Sequence, residues 1–206
     1  MLTNTCLPFN RPKTKYDRTI LTPYDSHDIY NLPTYVNYSV IDDVYIAASL
    51  PIHNENINSF KILLQNIDLI ISCIPNPNYI DEVIISTPYS YNNKIVFYDE
   101  IVRINLKKFR LIRFANWIDH DILNIHEFLF FFNFYKKIKV NKVLVHCEAG
   151  VGRTGTIIAY DLLSKYKHVD IDLFVDTMCK LREKRNGIVY SVKQLKFLID
   201  NFLDNL

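Results

Sequence analysis

Lys142-Val-Leu-Val-His146-Cys147-Glu148-Ala149-Gly150-Val151-Gly152-Arg153-Thr154-Gly155 is the stretch on which the fold turns. Its opening residues, Lys142 to His146, are apolar and β-branched and read as a short buried strand. From Thr154 to Tyr166 the apolar residues recur every three to four positions, which reads as a helix. Between them lies a glycine-rich turn. The chain has only four glycines, and Gly150, Gly152 and Gly155 are three of them. Glycine used so sparingly marks places where the backbone needs unusual dihedrals or approaches something closely. A strand–turn–helix of this kind aims successive N–H groups and a helix N-terminus at one point, which makes an anion site.

Several readings of the turn compete. Gly150-x-Gly152-x-x-Gly155 has the letters of a dinucleotide fingerprint, but a second strand carrying an acidic residue to the ribose is missing after the helix. A nucleotide-binding P-loop needs Gly-Lys-Ser/Thr, and this turn has no lysine. A structural turn around a buried, inert cysteine is the plain alternative. Against these stands Cys147-x5-Arg153 followed by Thr154. A thiol beside a helix N-terminus and a nest of amides is expected to ionise well below the usual value of about 8.5, towards roughly 3.5–7.5. Arg153 brings a planar fork that matches two phosphate oxygens at once. The Thr154 hydroxyl can donate to the sulfur, and His146 can brace the loop through its ring nitrogens. The amides of Glu148, Ala149, Gly150, Val151 and Gly152 would form the cradle.

Working outward, Asp172 to Lys184 and Val192 to Leu203 also read as helices. Ser191 is placed to cap the last one, with Gln194 in the capping-box position. Upstream, Ile122 to Lys136 is apolar nearly all round, as expected of a helix packed inside a core. Phe128 to Tyr135 is then core and not a cofactor box. Strands are expected at Val44 to Ser49, Asp68 to Ile74, Lys94 to Tyr98, Ile101 to Asn105 and Arg110 to Ala115, and a helix at Asn56 to Gln65. The result is an α/β (α+β) fold: a central twisted mixed sheet flanked by helices, with a phosphate-binding loop between strand and helix. No repeat, linker or charge run divides it. Residues 1–206 read as a single domain, with residues 1–35 an extended arm.

The composition limits the function. Of 206 residues 49% are hydrophobic and 22% charged, enough to bury a core. Twenty-four basic against 22 acidic side chains leave +2, which gives no support to an obligatory nucleic-acid partner or a polybasic membrane anchor. No apolar run approaches the roughly 20 residues of a membrane span, and the opening residues do not read as a secretory signal. Cys6, Cys73, Cys147 and Cys179 include no C-x-x-C pair, so a reducing, cytoplasmic setting is expected, with Cys6, Cys73 and Cys179 unreactive. The Ile-, Asn-, Lys- and Tyr-heavy composition suits an AT-rich genome, as in some viruses. The oligomeric state is not legible.

His146-Cys147-Glu148-Ala149-Gly150-Val151-Gly152-Arg153-Thr154-Gly155 resembles the H-C-x5-R-S/T signature of the cysteine-dependent protein tyrosine phosphatases. The phosphotyrosine-specific branch is matched in order along most of the chain. Asn10 to Tyr16 is similar to the family's Lys-Asn-Arg-Tyr segment, so the resemblance makes Tyr16 the ring that stacks on the substrate. Tyr35-Val-Asn37-Tyr-Ser39 and Tyr45-Ile-Ala-Ala-Ser-Leu-Pro51 resemble two further family segments. Trp117-Ile118-Asp119-His120 resembles the mobile acid loop, which implies Asp119 as general acid and then base, with Asp121 left to cap the next helix. Arg182 to Gln194 resembles the Q-loop region, with Arg182 and Arg185 bracing the loop or forming a basic rim.

Departures from the family pattern are specific. Ile118 replaces a proline, Glu148 a small polar residue, and Tyr190 the glutamine that positions water, a role Gln194 can take over. Asp17-Arg18 reverses a basic–acidic pair. The stretch between Cys73 and Trp117 is shorter than in the family. The resemblance implies hydrolysis of phosphotyrosine in a protein substrate through a phosphocysteine, without metal or cofactor. Dual-specificity, phosphoinositide or RNA 5′-phosphatase activity remain alternatives. So does a phosphotyrosine-trapping module of low turnover.

Overall fold

A seven-stranded mixed sheet runs through the protein in the order β1-β2-β7-β3-β6-β5-β4. The computed structural model describes Tyr30 and residues 32–203. Tyr16, Asp17, Arg18, Cys6 and nearly all of the N-terminal arm lie outside the described residues. The strands are β1 (Tyr38–Ile41), β2 (Tyr45–Ser49), β3 (Leu69–Ser72), β4 (Glu82–Tyr91), β5 (Lys94–Ile104), β6 (Lys107–Phe114) and β7 (Val143–Cys147). The helices are α1 (Asn54–Leu63), α2 (Ile125–Tyr135), α3 (Gly152–Leu163), α4 (Ile171–Lys184) and α5 (Val192–Phe202).

The four central strands β2, β7, β3 and β6 are mutually parallel, and antiparallel pairs extend the sheet on both sides. Both faces of this centre are covered, which is why β2, β7 and β3 read as nearly continuous apolar runs. On β7, Val143 and Val145 pack into the core formed with α2, α3, α4 and α5. Leu144 faces the opposite side, with Phe60 and Leu63 of α1. The strand period of two therefore decides which face each side chain serves. It sends Cys147 to the α3 side. Within α2, Phe128, Phe131, Phe132 and Tyr135 are buried in the same core. Among the described residues no helix is long and apolar enough to cross a membrane.

Several expectations need correction. The two runs at Lys94 to Tyr98 and Ile101 to Asn105 form one strand, β5. The interruption at Asp99-Glu100 is bridged by ion pairs to Arg110 and Arg113 on β6, with Glu100 only 1% exposed. Alternation fails as a signal where a buried carboxylate is paired across strands. Strand β4 was not anticipated: it is a mostly exposed edge carrying Pro88, a residue tolerated at edges. The short edge strand β1 was not anticipated either.

Helix α2 starts at Ile125, and its cap is Asn124, whose side chain accepts from the His126 amide. Asp121 is therefore not the cap. Its carboxylate accepts from the Ile122 amide and pairs with Lys193. Ser191 does occupy the N-cap position of α5, but its hydroxyl donates to the His120 carbonyl instead of capping the helix. Gln194 is likewise no capping-box residue, since its side chain donates to the Asp121 carbonyl.

Candidate active site

Four parallel strands end on the same side of the sheet, and the loops leaving β7, β2 and β6 carry segments singled out by the sequence. Ligands in open α/β sheets bind at that edge. Strand β7 delivers Cys147, β2 runs into Leu50–His53, β3 into Cys73, and β6 into the loop holding Trp117 and Asp119. The Cys147 turn is tied to the β2 exit by the Leu50 amide, which donates to the carbonyls of Cys147 and Glu148.

Cys147 is 2% exposed, and its Sγ accepts a hydrogen bond from the Gly150 amide at 3.2 Å. Gly150 has φ +69°, and a Cβ there would lie 2.3 Å from the Ala48 backbone. Only glycine supplies that turn at that distance. Helix α3 begins two residues later, so the positive end of its dipole faces the sulfur. Thr154 is fully buried, but its hydroxyl makes no hydrogen bond and does not reach the sulfur in this state.

The loop is held open from behind by Arg185, which is 1% exposed. Its guanidinium donates to the carbonyls of Gly150 and Ala149, to Asn37 Oδ1 and to Ser39 Oγ. With the Gly150 and Ala149 carbonyls drawn to Arg185, the Gly150 amide faces Cys147 Sγ. Burial pushes the Arg185 pKa down to about 10, opposed by Cys147 nearby. Of the two roles open to Arg185, it takes that of a brace. The Asn37 and Ser39 side chains that complete it belong to the Tyr35–Ser39 segment, to which the family resemblance assigns no role.

His146 is fully buried and is held by Tyr79, whose hydroxyl lies 2.7 Å from Nε2. Burial pushes its pKa down to about 3, so the ring is neutral. Tyr79 was missed in the sequence, since nothing local marks a tyrosine that acts across 67 residues. Cys73 is fully buried, and burial pushes its thiol well above the ordinary range, which suits an unreactive residue.

Arg153 is buried and turned towards the acid loop. It donates to the Trp117 carbonyl at 2.8 Å and the Cys73 carbonyl at 3.3 Å, and pairs with Asp119 at 2.9 Å. Its Nε has no partner. Asp119 is half-exposed and also lies 3.5 Å from His120 Nε2. The acid loop is fastened to α5: Trp117 Nε1 and Gln194 Nε2 both donate to the Asp121 carbonyl. Gln194 is fully buried against Gly152, with Oε1 unpartnered. Ile118 and Tyr190 are both exposed at this rim, the Tyr190 ring 6.2 Å from that of His120.

Cys147, Arg153, Asp119 and Gln194 are thus brought to one edge of the sheet. Beside them a cavity of about 230 Å³ is lined by Glu148 and Ala149, Asp119 and His120, and residues of the β2–α1 connection. The assembly holds a sulfur, the Gly150 amide, a guanidinium and a carboxylate on neighbouring loops, a set that can bind and transfer a phosphoryl group.

Comparison with known proteins agrees with that chemistry. The model of the protein-tyrosine phosphatase family matches residues 79–204. Tyrosine-protein phosphatase non-receptor type 20 of Homo sapiens is 25% identical over 236 residues, spanning 97% of this chain and 56% of the relative. Tyrosine-protein phosphatase 69D of Drosophila melanogaster is 48% identical over 63 residues, 30% of this chain and 4% of that protein. The chain therefore covers about half or less of these relatives' length. Among solved structures, PTPN18 in complex with HER2 phosphopeptides superposes with a TM-score of 0.67 at 20% identity, over 90% of this chain and 79% of that one. The Trypanosoma cruzi phosphatase TcPTP1 gives 0.63 at 22% identity, over 88% and 75%. Likeness at that identity shows a shared fold.

Proposed function

The chain belongs to the protein-tyrosine phosphatase family, and on that premise we propose that it hydrolyses phosphotyrosine in proteins through a phosphocysteine on Cys147. One observation carries the reading: Arg153 spans from the Cys147 turn to the acid loop, pairing with Asp119 at 2.9 Å. Nucleophile loop, phosphate clamp and proton donor are then coupled through one side chain.

In the reaction the phosphate takes the inward amides of residues 148–152 and the Arg153 fork, displacing the Arg153–Asp119 pair. Cys147 Sγ attacks phosphorus as the bond to the tyrosyl oxygen breaks, and Asp119 delivers its proton to that oxygen. Water then attacks the phosphocysteine, Asp119 takes the water's proton, and inorganic phosphate leaves with the sulfur restored. Gln194, buried beside Gly152 with a free amide oxygen, positions that water. Thr154 donates to the departing sulfur after a small rotation, which its unpartnered hydroxyl leaves open. His146, neutral and fixed by Tyr79, holds the strand end in place. Tyr16 and Tyr190 contribute the rim, Tyr16 by family resemblance. A reducing, cytoplasmic setting follows from the need for a free thiol. The fold neighbour PTPN18 is described with phosphopeptides, which fits a protein substrate.

The test is pre-steady-state kinetics on tyrosine-phosphorylated peptides, with phosphoserine peptides, phosphoinositides and 5′-phosphorylated RNA alongside. Steady turnover of the tyrosine peptides, abolished by Cys147→Ser while vanadate still binds, is the expected result. One equivalent of dephosphorylated peptide followed by arrest marks a trapping module. Preference for another panel member transfers the substrate assignment to it, and full activity in Cys147→Ser removes the nucleophile.

A further inference from the structure

The cavity beside the catalytic turn has a chemical bias of its own. Its lining does not include Cys147 or Arg153, and no Lys or Arg is among the described residues that form it. Its lining includes Glu148, which is exposed and makes no ion pair or side-chain hydrogen bond with the described residues. Asn56, in the first turn of α1 and 6% exposed, also lines it. Its Oδ1 has no hydrogen-bond partner. A buried acceptor left unpaired is costly unless something donates to it. The second carboxylate of the lining, Asp119, is already paired with Arg153. Asn37 Oδ1 is likewise taken, by Arg185.

What is free in the cavity is therefore an anion and a buried acceptor. A side chain with several N–H donors and a positive charge would satisfy both, and apolar walls from Val36, Leu50, Pro51 and Ile52 would cover its methylenes.

We propose that this cavity takes a lysine or arginine side chain of the substrate, flanking its phosphotyrosine. The enzyme then acts on phosphotyrosine sites with a basic neighbour. This rests on the phosphotyrosine reading of the Cys147 turn, which brings the phosphorylated ring to the adjoining position. Glu148 and Asn56 are specificity residues here and take no part in bond breaking.

The experiment uses phosphotyrosine peptides identical except at the three positions on either side, each carrying Arg, Ala or Glu. The assay is kcat/KM at pH 8. The wild-type chain should favour Arg over Ala by about fivefold at one or more positions, as for a partly solvated ion pair. Glu148→Gln should shrink that ratio towards unity, and Glu148→Lys should turn it in favour of Glu. The same peptides are ranked by fluorescence anisotropy on Cys147→Ser, so that the ratio is read even without turnover.

Equal handling of Arg and Glu at all six positions overturns the inference while leaving the phosphatase reading intact. So does an Arg preference that survives Glu148→Lys. A preference seen in binding but without turnover upholds the cavity and counts against catalysis. Absence of both binding and turnover overturns both.

Discussion

Replacing Arg185 by methionine tests the idea that the catalytic turn is shaped from behind. The side chain is 1% exposed and spends its donors on four acceptors: the carbonyls of Ala149 and Gly150, Asn37 Oδ1 and Ser39 Oγ. Hydrogen bonds from a charged donor contribute about 1.5–3 kcal/mol each, so the set is worth about 6 kcal/mol at the low end. Burying the charge offsets part of this. A pKa held down at about 10 corresponds to a penalty of about 3 kcal/mol. The difference, about 3 kcal/mol, is the expected loss of stability in Arg185→Met, read as the shift in urea-unfolding free energy.

The second readout is specific to the loop. Without the brace, the carbonyls of Ala149 and Gly150 regain the freedom to turn inward, and the amide cup loses its shape. Vanadate affinity, measured by calorimetry under conditions where the variant is folded, should fall by at least tenfold. Arg185→Lys should lie between, since one ammonium cannot serve four acceptors on two segments. Unfolding within 0.5 kcal/mol of wild type, together with unchanged vanadate affinity, would refute the reasoning.

Other expected outcomes are simpler to state. His146 is buried neutral, with its folded pKa near 3 against about 6.5 unfolded. Its contribution is therefore present above pH 6.5 and lost as pH falls towards 3, by up to about 1.4 kcal/mol per pH unit. Urea unfolding at pH 7, 6 and 5 should show a shallower acid loss in His146→Gln, and parallel curves would count against the assignment. In Gly155→Ala the new Cβ would sit 2.5 Å from Ile188 Cγ1 and 2.6 Å from the Val189 nitrogen. That nitrogen bonds the Val151 carbonyl, so the turn must shift, at about 2 kcal/mol and a Tm lower by about 4–8 °C. A Tm within 1 °C of wild type would show that the contact relaxes freely. Asp119→Ala should slow aryl phosphates with poor leaving groups by about 10²- to 10⁴-fold and good ones far less. A uniform loss would move the proton-donor role elsewhere.

How much of the site could be read in one dimension depended on how local each interaction is. The Cys147–Gly155 turn was legible because its chemistry is contiguous: strand, glycines, thiol, arginine and helix start follow one another. Asp119 was legible through the neighbouring Trp117 and the family pattern it resembles. The Tyr79–His146 bond and the Asn56 acceptor were not, since each acquires meaning only from a partner or cavity far along the chain. Asp121 misled because an aspartate just before an apolar run has the local features of a cap, and only the fold shows that Asn124 takes that place.

Sequence by itself determined that a glycine-rich turn stands between a buried strand and a helix, and that helices flank a central mixed sheet. Both follow from residue spacing and glycine geometry, which are properties of short segments. Tertiary structure alone decided what stands around the turn. Arg185 and Arg153 are both long cations near glycines, yet one is a brace behind the loop and the other pairs with Asp119 in front of it. Spacing cannot separate them, because the difference is set by which face of the sheet edge each helix brings to the loop.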